Sequence, residues 1–216
     1  MEETAKAITK KWHNNQWYSI KRRSLAIYAR TAGFDLSMYE DYSKEVQAEL
    51  RKRAVTAAMG DLESECEDRN FPVGDIKRGV YIISLSNPFA IQYEKHRSQV
   101  IYIGRGNIMG RVKSHFQLKL FDFMLSLNGA EFDFHFANPT SKGPDPAKTC
   151  VQIEHLMLDY FFNQYGSFPI LNKNAGHKAN RKTPTDWWKE HLKAFGPRAK
   201  WALKPTKHGE FPALDS

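Results

Sequence analysis

Gly79-Val80-Tyr81-Ile82-Ile83-Ser84-Leu85, followed after a polar gap by Val100-Ile101-Tyr102-Ile103-Gly104, is the stretch that decides the fold of this chain. Both runs are dense in β-branched and aromatic residues, which suit a pleated, buried surface, and both have strand length. A glycine opens the first and another closes the second. Between them Ser86 to Gln99 is polar, contains Pro88 and reads as a loop. From Ile108 to Leu127 the apolar period becomes helical. Glu131 to Ala137 alternates, with Phe132, Phe134 and Phe136 against Asp133 and His135, the pattern of a half-buried strand. Ser141 to Pro146 reads as loop, Ala147 to Tyr165 as a strongly apolar helix, and Phe168 onward as irregular. The order β-β-α-β-α predicts an α/β (α+β) unit, a short mixed or antiparallel three-stranded sheet flanked by helices.

Upstream, Glu3 to Gly33 reads as one or two helices, with Trp12, Trp17, Ile20, Leu25, Ile27 and Tyr28 as apolar contacts. Leu36 to Glu67 is a second helical stretch, best between Lys44 and Met59, where Val46, Leu50 and Ala54 fall at helical spacing. Asn70, Pro72 and Gly74 then break the pattern. The expected organisation is a helical N-terminal extension (1–75), a core (76–175) and a basic C-terminal extension (176–216).

With 41% hydrophobic and 26% charged residues, the 216-residue chain has a globular balance and can bury a core without staples. Its two cysteines, Cys66 and Cys150, are far apart, which argues against a disulfide framework and a cysteine zinc site. No apolar run approaches the roughly 20 residues that span a bilayer. The charged start, Met1 to Lys11, lacks the apolar region of a signal peptide. An intracellular, cytoplasmic protein with no membrane partner and no organic cofactor is expected. The net charge of +8 suits a polyanionic partner, because each Lys or Arg set against a phosphate releases counterions. That charge gathers at the two ends, in runs such as Lys21-Arg22-Arg23 and the series that begins at Lys173.

Tyr81 and Tyr102 each stand near a glycine on a short strand, and antiparallel pairing would let their side chains approach. Arg111 comes nine residues after Tyr102 and His115 four further, one turn apart on one helix face. Glu154 follows on the last helix, and Asn172 after the Pro169-Ile170-Leu171 turn. Each has a plain structural reading: strand aromatics, a solvated helix face, a salt-bridged acid. Together they form a set suited to phosphodiester hydrolysis. That chemistry needs a cation against phosphate charge, a base for water, and donors for the developing oxyanion.

Gly79-Val80-Tyr81, Tyr102-Ile103-Gly104, Arg111-x-x-x-His115, Glu154 and Asn172, in this order, resemble the GIY-YIG nuclease superfamily. The resemblance covers about residues 78 to 175, a little under half the chain. The superfamily includes phage homing endonucleases, the incision subunit of bacterial nucleotide-excision repair and short type II restriction enzymes, and this chain is closest in size to the last. It implies that Tyr81 aligns or deprotonates the attacking water and that Tyr102 binds that water or the phosphate. Arg111 would stabilise the phosphate, and His115 would accept or relay a proton. Glu154 would be the sole protein ligand of a magnesium (or manganese) ion, and Asn172 would hold backbone and substrate in place. Three departures stand out: GVY replaces GIY, the segment between the two tyrosines is long, and Glu154 is further than usual from Asn172. Asp159 lies nearer the customary distance, so it is the alternative metal ligand.

What the resemblance implies is a metal-dependent endonuclease on double-stranded DNA, restriction-like and working as a homodimer. Arg105, Lys113, Lys21, Arg22, Arg23 and Lys173 are candidate DNA contacts. The alternatives are a repair or defence nuclease acting on branched, damaged or single-stranded DNA, and a non-catalytic DNA-binding protein.

Overall fold

The two decisive runs pair with each other, as Gly79–Leu85 and Val100–Gly106 in an antiparallel ladder. The computed structural model describes residues 14–71, 73, 76–127, 130–140, 146–172, 186–193 and 199–204. The elements begin with strand β1 (Tyr18–Ser24), helix α1 (Leu25–Thr31), a 3-10 turn (Leu36–Asp41) and helix α2 (Lys44–Asp68). Strands β2 (Gly79–Leu85), β3 (Phe89–Gln92), β4 (Arg97–Ser98) and β5 (Val100–Gly106) follow. Helix α3 (Ile108–His115) runs through a π turn (Phe116–Leu120) into α4 (Phe121–Ser126). Strand β6 (Glu131–Ala137), helix α5 (Pro146–Tyr165), a 3-10 turn (Trp187–Leu192) and β7 (Trp201–Leu203) complete the order.

The main sheet is antiparallel, in the order β1-β6-β2-β5, and the smaller mixed one runs β4-β3-β7. The fold is therefore mixed α/β as expected, with a fourth strand that the local sequence pattern does not reveal. Tyr18–Ser24 is strand, where the spacing of Trp17, Ile20 and Leu25 suggests helix; among the described residues of Glu3 to Gly33 the helical reading holds from Leu25 to Thr31. Pairing decides the matter, since Ile20 seats opposite Phe134 and is fully buried. The expected loop, Ser86 to Gln99, carries the short strands β3 and β4, and the irregular stretch after Phe168 carries β7. Trp12 lies outside the described residues.

Alternation sorts the sheet into two faces. Tyr81, Ile83 and Leu85 share one with Phe136, Phe134 and Phe132. Phe134 meets Phe116, and Phe116 meets Tyr28, so the layer containing α1 and α3 covers this side. On the other face His135 is buried, with Ser19 and Ser84 at its ring nitrogens (2.7 and 3.1 Å) and His191 stacked on it. β6 is thus covered on both sides around His135, while Glu131 and Asp133 near its start stay partly exposed. The buried stripe of α2 is Ala54, Val55, Ala58, Met59, Leu62 and Cys66, while Val46 is exposed because the first turns project past the core. No helix among the described residues is long and apolar enough to cross a membrane.

Candidate active site

The site is built on the β2–β5 ladder, and β5 is the outer strand of the main sheet. Tyr81 faces Gly104 and Ile83 faces Tyr102, so the two phenols are diagonal neighbours on one face. Their rings stack with centroids 5.8 Å apart and planes 28° apart. Gly104 makes this possible, since a Cβ there would lie 2.6 Å from Tyr102 Cε1 and from Tyr81 Cζ and Oη.

Helix α3 supplies the cation and the imidazole. Asn107 caps it, its side chain accepting from the Gly110 amide at 2.8 Å. Arg111 and His115, one turn apart, both reach the phenols. The His115 ring lies 4.2 Å from that of Tyr102, and Tyr81 Oη is 2.8 Å from His115 Nε2. Arg111 acts electrostatically on both phenols. Burial, and then Tyr102, raise the Tyr81 pKa against the opposing pull of Arg111, so the phenol keeps its proton. Burial, then Arg111 and Lys119, lower His115 to about 4, so it is neutral near pH 7. A protonated phenol beside a neutral imidazole can pair with the phenol donating and Nε2 accepting, in the tautomer with hydrogen on Nδ1. Lys119 continues the step of four from Arg111 and His115. The same spacing that picks out those two would have found it.

These shifts carry a stability consequence. Burial holds His191 at about 4 as well, and His135 well below its usual value. An unfolded histidine takes its proton near about 6.5. Between that value and 4 the unfolded chain binds more protons than the folded one, so stability rises with pH across this window and is lost on acidification. The thermal midpoint is expected to fall steadily from pH 6.5 to 4.5; a flat profile there contradicts these assignments.

Glu154 and Arg105 form a second group. Arg105 pairs with Val80, so alternation turns it to the face opposite the phenols, toward α5. There its Nε donates to Glu154 Oε2 at 2.7 Å, with the carboxylate side chain only 15% exposed. Glu154 follows the buried stripe Cys150, Ile153, Met157 and Leu158, whereas Asp159 is exposed and bonded to Asn163. Five residues of helix separate the two carboxylates by about 140°. Asn172 closes the outer edge of β5, its side chain accepting from Ile103 N (2.9 Å) and donating to Ile103 O (2.8 Å).

Among the described residues no three His, Cys, Asp or Glu side chains gather into a metal-binding group. What is present fits a hydrated divalent ion and not a caged one. Magnesium keeps most of its waters and takes one or two carboxylates. Among these residues the carboxylate that would take such an ion is that of Glu154, which Arg105 holds from its Nε.

The expected DNA contacts are scattered. Arg105 pairs with Glu154. Lys113 is exposed on α3, beside a cleft lined by Thr56, Met59 and Gly60. Lys21 and Arg22 protrude at a bulge of β1, Arg22 with φ 58°, on the sheet edge furthest from β5. Arg23 is held within the fold. Its guanidinium is bound by Asp61 (3.2 Å) and Glu65 (2.8 Å) of α2, where it ties β1 to that helix. Lys173 lies outside the described residues. No family model, no curated protein and no solved structure matches this chain.

Proposed function

We propose that this chain is a metal-dependent endonuclease of the GIY-YIG type that hydrolyses phosphodiester bonds in double-stranded DNA. The observation that carries the reading is the 2.8 Å contact between the Tyr81 hydroxyl and a neutral His115, with Tyr102 and Arg111 beside them. Hydrolysis requires a proton to leave water as its oxygen attacks phosphorus. Tyr81, protonated itself, takes that proton only as it passes its own to His115 Nε2, so the phenol acts as a relay and the imidazole as the final acceptor. Tyr102 orients the water or the phosphate. Arg111, an exposed residue, binds phosphate oxygens and offsets the charge that grows on them. Asn172 holds β5 in register beneath the site. A magnesium or manganese ion on Glu154 would neutralise the phosphate and polarise its oxygens, and Arg105 orients the carboxylate for it.

Cleavage is proposed to be site-specific, by a homodimer, because a two-fold symmetric sequence is best matched by a two-fold symmetric protein. Digestion of a multi-site plasmid in magnesium buffer tests this. Discrete, reproducible bands are expected, whereas a smear, or cutting confined to flaps, would reassign the substrate to branched or damaged DNA. Complete absence of cutting would remove the nuclease reading.

Glu154→Ala is expected to lower the cutting rate about 10³-fold, since a lost metal is worth several kcal/mol and each 1.4 kcal/mol is tenfold. DNA retention in a gel-shift assay should persist. Asp159→Ala should cut normally, and the reverse result would move the metal to Asp159.

A further inference from the structure

We infer that Arg51, on α2 of the N-terminal extension, is a positioning residue that sets the direction of His115 by holding the π turn after it. The buried stripe along α3, the π turn and α4 is Ile108, Val112, Phe116, Leu120 and Met124, spaced strictly four apart. On an α-helix of 3.6 residues per turn each such step overshoots by about 40°, so an uninterrupted helix would wind these residues off the core. A π turn takes an extra residue into one turn and returns the stripe to its face. The first half, α3, is thereby free to aim Arg111 and His115 at the phenols, while α4 buries Phe121 and Met124.

Such a turn shifts the amide-to-carbonyl pattern of the helix by one residue. Arg51 reaches into it, its Nη1 donating to Gln117 O at 3.3 Å. The same guanidinium pairs with Asp122 of α4, lies 4.5 Å over the Phe121 ring, and donates from Nε to the Tyr39 hydroxyl at 3.4 Å. It therefore grips both ends of the π turn at once, which a rigid fork of five donors can do and an ammonium cannot. The Arg51–Asp122 ion pair alone would count for little, with Asp122 60% exposed. The carbonyl and ring contacts are what tie the extension to the site.

The inference rests on His115 as the proton acceptor proposed above, and its test separates the two. Arg51→Met and Arg51→Lys are compared with the full-length wild type by NMR titration of the His115 ring and by kcat and KM on plasmid DNA. His115 faces Tyr81, Tyr102, Arg111 and Lys119, and in the wild type it titrates near 4. In Arg51→Met the midpoint is expected to rise by about one pH unit or more toward the ordinary 6.5. Its kcat should fall about tenfold with KM unchanged, the signature of misplacement. Arg51→Lys should fall between. A folded Arg51→Met with the wild-type titration overturns the inference, even if its stability drops. Should that variant not fold, a wild-type titration and kcat in Arg51→Lys overturn it equally. If the wild type cuts no DNA but the titration moves, the nuclease reading fails and the positioning role stands.

Discussion

Tyr81→Phe is expected to reduce cleavage about 10³-fold while changing DNA affinity little, within the 10²–10⁴ range of a lost general acid–base group. The substitution removes one oxygen and leaves the ring, which is fully buried, in its place. The relay then has no first member, and water faces an imidazole whose nearest contact was that hydroxyl. The fold loses the hydroxyl's contacts with His115, Arg111 and Tyr102, each worth about 1 kcal/mol, so the thermal midpoint should fall by several degrees. Single-turnover cleavage with a parallel gel-shift assay reads both quantities. Because burial keeps the phenol protonated, raising the pH from 8 to 10 should not release extra activity through Tyr81. Wild-type cleavage by Tyr81→Phe would reduce Tyr81 to an ordinary strand aromatic and take the proposed mechanism with it.

Gly104→Ala should have the second large effect, and it acts through geometry rather than chemistry. The added methyl would stand 2.6 Å from Tyr102 Cε1, Tyr81 Cζ and Tyr81 Oη. Both neighbours are planar rings, and Tyr81 has no solvent into which to retreat. The rings or the strand must therefore move. Overpacking of this kind costs about 1–3 kcal/mol, and a displacement approaching 1 Å at reacting groups costs about 10²-fold in rate. Gly60→Ala in α2 is the control, since nothing lies within 4 Å of its Cβ position. It should be neutral or stabilising by up to about 1 kcal/mol. Calorimetry on both variants, with single-turnover kinetics, checks the pair. Equal midpoints and equal rates for the two alanine variants would mean that the phenols do not depend on the bare edge of β5.

The two predictions probe one architecture from different sides. A strand pair brings two aromatic side chains together, a glycine lets them close over the outer strand, and a capped helix lowers a cation and an imidazole onto them. The acid of the set arrives from the opposite layer, held by Arg105 of the same strand. The outer strand β5 thus carries Tyr102 on one face and Arg105, with Glu154, on the other, and Asn172 fixes its backbone from the third side. A β5 displaced by one residue would turn Tyr102 toward α5 and Arg105 toward α3, since alternation has a period of exactly two.

Where residues act within their own segment, local pattern was enough to read them. β2, β5 and β6 follow from dense β-branched and aromatic runs, α5 from its apolar period, and the Arg111–His115 face from a step of four. The candidate set was legible because each member sits at a recognisable point of such a segment. What escaped were relations between segments: β1 pairing with β6 across more than a hundred residues, the smaller sheet closed by β7, and Arg23 held by α2 carboxylates. None of these leaves a periodic trace, because the partner that satisfies each group is distant in the chain.

The sequence by itself determined the residue types, their order and the local periods, and so the mixed α/β class and the phenol, guanidinium, imidazole and carboxylate that the core carries. Only the tertiary structure decided which of them touch. It stacked Tyr81 on Tyr102, buried His115 deeply enough to keep it neutral, sent Glu154 to Arg105 rather than to the phenols, and set a π turn between α3 and α4. The reason is physical: propensity and period act over a few residues, whereas burial, desolvation and strand register depend on what is packed from elsewhere in the chain.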